Sequence, residues 1–270
     1  IVILLDLEDD LLSKELLGSL ELNRIYQMDC LEGMKLIPDK SIDMILCDLP
    51  YGTTECKWDI IIDFKKLWEQ YNRIIKENGA VVLTSSQPFT SQVVSSNYNN
   101  FRYEIIWEKE QATNFMFLKN QVGKIHENIL VFYKKQPTYN PQMIETGRKS
   151  QSGTKNKVQS HNITGGEPKR EGSTNRYPTS VIKFNRDRTK LHPTQKPVAL
   201  FEWLIRTYTN ENEIVLDNCM GSGTTAVAAL KSKRKFIGFE TEPKYIEVAN
   251  MRIESTYNEL DDEKVINKIQ

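Results

Sequence analysis

The end of one apolar run carries residues that can do chemistry. The run Ile45–Cys47 leads into Asp48, and Leu49, Pro50, Tyr51 and Gly52 follow directly. A chain leaving a buried strand needs the proline and the glycine to turn, but it needs neither a carboxylate nor an aromatic ring there. The combination marks the end of this strand as a candidate site.

A glycine-rich loop near the carboxyl terminus marks a second candidate site. The run "EIVLD" ends at Asp217 and is followed by Gly221 and Gly223, and the later run "KFIGFE" ends at Glu240. The spacing Gly-x-Gly-x-x-Ala also fits a nicotinamide-dinucleotide fingerprint. However, a carboxylate at Asp217 repels a pyrophosphate and attracts an ammonium group, and the loop lacks the lysine of a P-loop.

A ligand with an amino-acid head group and a ribose suits this loop better than a dinucleotide. We expect Asp217 to bind the ammonium group and Glu240 to bind the ribose hydroxyls. Gly221 and Gly223 allow the backbone to approach the ligand closely. S-adenosylmethionine has these parts, and a tight strand–helix turn with no ligand is the alternative interpretation.

The chain alternates between strand-like and helix-like segments. Strands are predicted at Arg24–Met28, Ile42–Cys47, Ala80–Ser86, Tyr103–Lys109, Glu127–Lys135, Glu213–Cys219 and Lys235–Glu240, and helices at Phe64–Lys76, Pro197–Thr209, Gly221–Lys233 and Pro243–Glu254. This alternation predicts the α/β class, with a doubly wound, mostly parallel sheet covered by helices on both faces. Ligands bind such sheets at the carboxyl ends of the strands, where the acidic residues of both candidate sites fall.

Length and composition bound the class of protein. The chain has 270 residues with 36 acidic and 36 basic side chains, which suffices for one large domain with an insertion. Its four cysteines form no CxxC pair, and no apolar run approaches the roughly 20 residues of a membrane span. These features favour a cytoplasmic setting without a membrane partner. Residues 1–20 are interpreted as an N-terminal extension, in which 7–20 are predicted to form a short amphipathic helix.

The neutral total hides a strongly basic segment. Residues 134–190 contain 13 lysines and arginines against 4 acidic residues, together with many Gly, Ser, Thr and Asn. A segment with so few apolar residues buries little surface, so we expect it to be loose by itself. It is either a solvated linker or a nucleic-acid contact surface that becomes ordered on its ligand.

Three motifs together resemble the amino-group DNA methyltransferases. They are "DLPYG", "HPTQKP" and "VLDNCMGSGTTAVAAL" with "FIGFE", in the permuted order that places the catalytic motif before the cofactor motif. The resemblance covers roughly residues 24–252 and implies an S-adenosylmethionine-dependent methyltransferase fold. It divides the chain into a catalytic half (21–135), a target-recognition region (136–190) and a cofactor-binding half (191–270). Leu49 departs from the family motif, which usually has a proline at this position.

The resemblance implies methyl transfer from S-adenosylmethionine to an exocyclic amino group of a base in double-stranded DNA. The Asp48 carboxylate and the Leu49 main-chain carbonyl would hold the two N–H bonds, Pro50 would stiffen the turn, and Tyr51 would stack on the base. The base must first be flipped out of the duplex. In the family, Asp at the first motif position usually accompanies N6-adenine and Ser accompanies N4-cytosine, so N6-adenine is expected.

The resemblance also assigns further residues to the cofactor. Asp29 and the backbone of Cys30 would lie near its adenine, while Thr194 and Lys196 would bind its carboxylate. The loop completes the predicted cofactor-binding set with Asp217, Cys219, Gly221, Ser222, Gly223, Thr224 and Glu240. Asp29 as a strand-end turn residue and Lys196 as a surface charge are the alternatives.

Other functions stay open at this point. Methylation of N4-cytosine or of RNA adenine shares the fold and the motifs. A nicotinamide-dependent oxidoreductase or a non-catalytic nucleic-acid-binding protein is more remote, and intact Asp48, Pro50 and Tyr51 argue against the latter. His126, His161 and His192 lack metal-ligand spacing, so no metal is expected. A restriction–modification setting and a homodimer are expectations from the resemblance alone.

Overall fold

The chain forms two compact units. The computed structural model describes residues 14–54, 56, 59–147, 174–187 and 195–269, with side chains up to residue 262. The second unit is Pro141–Thr179, and the first is the remainder of the chain. Of the helices in the described residues, none is long and apolar enough to span a membrane.

The first unit is built on one twisted sheet. The strands of the protein are β1 (Leu16–Leu17), β2 (Leu20–Glu21), β3 (Arg24–Gln27), β4 (Ile42–Asp48), β5 (Ile75–Ser85), β6 (Phe101–Glu108), β7 (His126–Phe132), β8 (Ile144–Glu145), β9 (Asn175–Arg176), β10 (Val181–Lys183), β11 (Ile214–Asp217) and β12 (Lys235–Glu240). Eight of these described strands form the sheet, in the order β10-β6-β7-β5-β4-β11-β12-β3. Neighbouring strands are parallel except at β7, which is antiparallel to both β5 and β6. The prediction of a mostly parallel sheet is confirmed.

Helices cover both faces of this sheet. They are α1 (Cys30–Lys35), α2 (Phe64–Ile74), α3 (Phe89–Ser96), α4 (Val198–Tyr208), α5 (Thr224–Lys231) and α6 (Pro243–Ile269). Alternate residues of β4 enter opposite cores, with Met44 and Leu46 packing among residues of α4, α5 and α6. Ile45 and Cys47 pack among residues of α1, α2 and α3. Because side chains alternate along a strand, the continuous apolar run of β4 serves both cores.

The order of the strands reverses between β4 and β11. The chain passes from β4 to β5 on one side, whereas β11 lies on the other side of β4 and leads to β12 and β3. Such a reversal leaves a crevice outside the carboxyl ends of the two strands, and this is where α/β folds bind their ligands. Asp48 and Asp217 end these two strands, so the fold brings the two predicted sites to one place.

Two predicted helices differ from the structure. The predicted helix at 7–20 is wrong over its described part, because β1 and β2 pair as an antiparallel hairpin around Gly18, and the remainder of that segment lies outside the described residues. α2 ends at Ile74, two residues before the predicted end at Lys76, and β5 begins at the next residue, so Gly79 lies inside a strand. A Cβ atom at Gly79 would lie 2.8 Å from the Asp43 carbonyl oxygen of β4, so close strand approach accounts for this glycine.

The basic segment contributes to both units. Inside the second unit, β8 and β9 pair as an antiparallel hairpin. β10, which also falls in the predicted target-recognition region 136–190, pairs with β6 at the edge of the main sheet. That region is therefore not loose throughout, and the separate compact unit is narrower, at 141–179. Residues 148–173 and 188–194 lie outside the described residues, so the expectation of looseness there stays a prediction.

Candidate active site

A cavity of about 720 Å³ lies at the carboxyl ends of the central strands. One wall is the strand end Asp48–Tyr51, and the neighbouring wall contains the loop 217–222 and Glu240. The parallel pairing of β4 with β11 places these walls side by side. The two candidate sites predicted from separate parts of the sequence are therefore two ends of one cavity, which can hold two ligands against each other.

The Asp48 carboxylate is fixed by donors from three parts of the chain. Its Oδ1 atom accepts hydrogen bonds from the Tyr51 hydroxyl, at 2.7 Å, and from the hydroxyl of Thr84 on β5. Its Oδ2 atom accepts a hydrogen bond from Lys196 Nζ at 2.5 Å. A carboxylate offers about four acceptor positions, so Oδ2 keeps one position for a donor that enters the cavity.

Tyr51 acts as a neutral donor at this end of the cavity. Burial, followed by the negative charges of Asp48 and Glu127, raises the pKa of the Tyr51 hydroxyl well above its usual value. Its ring stacks on Phe89, with the ring centroids 5.0 Å apart and the planes 27° apart. One face of the ring is therefore already covered by the protein.

Lys196 belongs to a row of four alternating charges. Its Nζ atom lies between Asp48 and Glu127, at 3.5 Å from Glu127 Oε2, and Lys109 bonds the other oxygen of Glu127. Burial works to lower the pKa of Lys196, but the two carboxylates raise it above its usual value. The alternative of a surface charge is wrong, because the side chain is buried. The structure places Lys196 against Asp48, whereas the sequence predicted a contact with a cofactor carboxylate.

Asp59 holds the turn that follows the catalytic motif. Its carboxylate accepts hydrogen bonds from the N–H groups of Gly52, Thr53 and Thr54, at 2.8, 2.9 and 2.7 Å. Burial works to raise the pKa of Asp59, but these N–H groups and the Thr54 hydroxyl lower it below its usual value. Through these hydrogen bonds Asp59, which also lines the cavity, fixes the chain where the motif leaves the sheet.

Asp217 carries a buried carboxylate at the other end of the cavity. Its oxygens accept hydrogen bonds from the Cys219 N–H group, at 3.0 Å, and from the Thr225 hydroxyl. Burial raises the pKa of Asp217 to about 6. Within the described chain no lysine or arginine pairs with it, so this carboxylate faces the cavity without a positive partner.

Glu240 organises the loop beside it. Oε1 accepts hydrogen bonds from the N–H groups of Thr241 and Glu242, at 2.8 and 2.9 Å, and Oε2 accepts one from Gly221 at 2.8 Å. Oε2 therefore retains an acceptor position at the cavity wall. Gly221 has a φ of +52°, in the left-handed region that suits glycine.

The remaining loop residues hold the loop as well as line the cavity. Ser222 and Thr224 line it, and both accept hydrogen bonds from Arg252 of α6. Gly223 is not among the cavity-lining residues. It has a φ of +82°, and a Cβ atom there would lie 2.8 Å from the Cβ of Ala249. Packing against α6 and the positive φ therefore account for the glycine at 223, and the predicted close approach of a ligand there stays a prediction.

Asp29 lies beside this loop through the pairing of β3 with β12. Glu240 is paired with Gln27, which brings Asp29, two residues further along the chain, near Glu240. Asp29 also caps α1 by accepting hydrogen bonds from the N–H groups of Leu31 and Glu32, which is the strand-end role considered as its alternative. It lines the cavity with Cys30 and Cys219. The pKa of the Cys219 thiol, like that of Cys30, is raised above its usual range, so both are neutral.

Thr194 lies outside the described residues, so its predicted contact with the cofactor carboxylate stays a prediction.

In the described ranges no cluster of His, Cys, Asp and Glu could hold a metal ion. Thr84, Lys109, Glu127 and Asp59 were not predicted as site residues. The local sequence offered a signal for two of them, since Thr84 lies near the end of an apolar run and Glu127 lies in the run "HENILVFYK". The contacts of all four residues join parts of the chain that are far apart in sequence, so no spacing pattern records them.

Comparison with known proteins identifies the family. Residues 42–251 match the family described as DNA methylase (N6_N4_Mtase). The chain is 30% identical to the DNA adenine methyltransferase YhdJ of Escherichia coli K12, over 87% of this chain and 83% of that protein. It is 28% identical to the type II methyltransferase M1.MboII of Moraxella bovis, over 86% of this chain and 96% of that protein.

A solved structure extends the likeness to the fold. The structure of the M1.HpyAVI–SAM complex matches with a TM-score of 0.59 and 27% identity, over 85% of this chain and 98% of that one. The chain belongs to the DNA methylase family and has its methyltransferase fold. Membership of this family removes the nicotinamide-dependent oxidoreductase from consideration.

Proposed function

We propose that this chain transfers a methyl group from S-adenosylmethionine to the N6 amino group of an adenine that is flipped out of double-stranded DNA. The observation that carries this proposal is the shared cavity, in which Asp48 and its turn form one end and Asp217 and Glu240 form the other. A donor and an acceptor bound at these two ends meet inside one cavity, which converts an encounter of two molecules into a step within one complex.

The residues at the Asp217 end fit the proposed cofactor. The buried carboxylate of Asp217 lacks a positive partner in the described chain, and the ammonium group of the cofactor supplies one. Glu240 Oε2 retains an acceptor position for a ribose hydroxyl. Phe239 and Tyr245 line the same end of the cavity and provide apolar surface for an adenine ring. When bound, S-adenosylmethionine supplies a methyl group activated by the adjacent sulfonium.

The residues at the Asp48 end suit an exocyclic amino group. The lone pair of such a nitrogen is delocalised into the base, so the amino group is a weak nucleophile. The free acceptor position of Asp48 and the main-chain carbonyl of Leu49 can each hold one N–H bond. No described donor bonds the Leu49 carbonyl oxygen. Holding both N–H bonds directs the lone pair at the methyl group and lowers the barrier.

Methyl transfer would take place in a single displacement at the methyl carbon. The nitrogen lone pair forms the new N–C bond while the bonding pair of the S–C bond returns to sulfur. The nitrogen then carries an extra positive charge and releases one proton, for which Asp48 is the adjacent acceptor. Tyr51, Thr84 and Lys196 keep the Asp48 carboxylate in place through this change.

Adenine is favoured over cytosine by two separate observations. Asp occupies the first position of the motif, and YhdJ is by name a DNA adenine methyltransferase. Asp48 lines a cavity at the carboxyl ends of the strands, so a base inside a duplex reaches it only after it leaves the stack. Unstacking costs a few kcal/mol, which contacts in the pocket must offset.

Isotope-labelled S-adenosylmethionine tests the proposal directly. Plasmid DNA from a methylation-free host is incubated with the protein, digested to nucleosides and analysed by mass spectrometry. We expect labelled N6-methyladenine, whereas labelled N4-methylcytosine would contradict the base assignment. A parallel reaction with structured RNA of equal adenine content checks the nucleic acid, since label in RNA alone would contradict the DNA assignment.

A further inference from the structure

The connection between β6 and β7 displays apolar side chains to solvent. Six of them fall between residues 115 and 125 and are between 43% and 88% exposed: Phe115, Met116, Phe117, Leu118, Val122 and Ile125. Large apolar side chains scattered singly on a surface need no explanation, but a contiguous group marks an interaction site. Residues 115–118 form the tip of this connection, and the first three of them form a short 3₁₀ turn.

Hydrogen bonds across this connection hold it in one conformation. Asn114 accepts a hydrogen bond from the Lys124 N–H group at 2.6 Å and donates one to the Val122 carbonyl at 3.0 Å. Below it, Thr113 N–H donates to the Lys124 carbonyl at 2.9 Å, and Lys109 N–H donates to the Ile125 carbonyl at 2.7 Å. The apolar tip is therefore supported by a polar base, rather than exposed because the chain lacks structure.

The base of the connection is part of the cavity wall. Lys109, Thr113 and Lys124 line the cavity that contains Asp48, and Lys124 also bonds Ser86 at the end of β5. Arg186 lines the cavity as well. Lys109 and Arg186 are paired with Glu127 and Glu110, so Lys124 at the base and Lys119 beside the tip supply the positive charge that suits a phosphate backbone. The apolar tip consequently stands next to the place through which a target base must pass.

We propose that the tip 115–118 enters the DNA duplex and occupies the space left by the flipped base. This inference rests on the proposed function, because only a base taken out of its stack leaves such a space. Proteins that open base steps commonly insert apolar wedges, since an aromatic or aliphatic side chain replaces part of the lost stacking. A second copy of this chain fits the patch less well, because a symmetric contact would place Lys119 and Lys124 of one copy near those of the other.

The experiment compares substitutions of exposed aromatic residues that lie before β6 and after it in the chain. The variant carries Phe115→Ala and Phe117→Ala at the tip. The control carries Tyr98→Ala, since Tyr98 is 74% exposed, close to the 70% of Phe115, and lies just before the opposite end of β6. Each protein is assayed on two unmethylated duplexes that contain the sequence which the unaltered protein methylates. One duplex is fully paired, and the other has an abasic site opposite the target base. An abasic partner removes much of the cost of flipping, so it replaces the function of a wedge.

We expect the tip variant to lose about tenfold or more of kcat/KM on the paired duplex and to regain most of it on the abasic duplex. Its affinity for S-adenosylmethionine and the activity of the Tyr98→Ala control should stay unchanged. Equal losses on both duplexes, or no loss on the paired duplex, would overturn the wedge. Equal losses accompanied by a smaller sedimenting species would identify the patch as an interface between copies. If the unaltered protein methylates neither duplex, the proposed function itself fails.

Discussion

Lys196 Nζ lies 2.5 Å from Asp48 Oδ2, although 148 positions separate the two residues in the chain. The contact joins the motif after β4 to the residue that precedes α4 by one proline. Lys196 Nζ also lies 3.5 Å from Glu127 Oε2, so the lysine is held between two carboxylates and fixes the direction of the Asp48 carboxylate at the cavity wall. We infer that Lys196 positions Asp48 for the target amino group.

Lys196→Met tests this positioning role. The substitution keeps the length of the side chain but removes the donor to Asp48. We expect methyl transfer to fall by about a hundredfold, because a displaced acceptor no longer directs the amino group. The dissociation constant of S-adenosylmethionine should change by less than about threefold, since charge-assisted contacts to the cofactor are retained.

Lys109→Met is the matched buried control for this experiment. Lys109 bonds Glu127 but not Asp48, so its loss should lower the melting temperature comparably and methyl transfer much less. Removing one partner of a buried ion pair costs about 3–5 kcal/mol in either variant. If Lys196→Met weakens cofactor binding tenfold and spares single-turnover transfer, Lys196 binds the cofactor carboxylate, as the sequence predicted.

Binding of S-adenosylmethionine should depend on pH through Asp217. Burial raises the pKa of this carboxyl to about 6 in the ligand-free protein. The ammonium group pairs only with the ionised form, so below pH 6 a proton must leave before the pair can form. We expect the affinity, measured by calorimetry from pH 7.5 to 5, to fall towards tenfold per unit below pH 6. Asp217→Asn should bind more weakly and show no such slope, and an unchanged slope in that variant would assign the titration to another group.

Gly223→Ala should destabilise the protein through helix packing. The φ of +82° is unfavourable for alanine, and the new Cβ would lie 2.8 Å from Ala249 Cβ. We expect a loss of about 2–4 kcal/mol in the free energy of unfolding by urea. A double-mutant cycle with Ala249→Gly separates the two causes. If the clash matters, the two changes should be less costly together than their sum, whereas strict additivity would leave only the backbone strain.

Replacing residues 141–179 with a short neutral linker should separate DNA binding from cofactor binding. This unit contains seven lysines and arginines against three acidic residues, and none of its described residues lines the cavity. We expect duplex affinity to fall and its salt dependence to decrease by about one unit of logarithmic slope for each lost phosphate contact. Cofactor affinity should be unchanged. Methylation of the same sequence context by the shortened protein would place target recognition elsewhere.

The sequence predicted the parts of the site that depend on local pattern. Asp48, Asp217 and Glu240 each end an apolar run, and strand–helix alternation is sufficient to bring such ends to one edge of a parallel sheet. The permuted motif order of the resembling family, rather than this pattern, implied that the strand before Asp29 lies beside the strand that ends in Glu240, and β3 does pair with β12. The hairpin at Leu17 and Leu20 was missed, because a helical apolar pattern outweighed the Gly-Ser turn signal between them.

The contacts among the charged side chains could not be predicted from sequence. Thr84, Glu127 and Lys196 reach Asp48 or one another from three separate elements, and nothing in their spacing records that meeting. The packing role of Gly223 could not be predicted for a related reason. A glycine next to a ligand and a glycine under a helix look alike in sequence, and only the position of Ala249 distinguishes them.

Sequencing of methylated DNA tests the central claim most directly. The protein and its Asp48→Ala variant are each expressed in a methylation-free host, and modified bases are then read in the host DNA by single-molecule sequencing. We predict N6-methyladenine at one short recurring sequence in the first host and none in the second, where the variant still binds S-adenosylmethionine. Unmodified DNA from the first host, modification confined to cytosine, or undiminished adenine methylation by the variant would contradict the account.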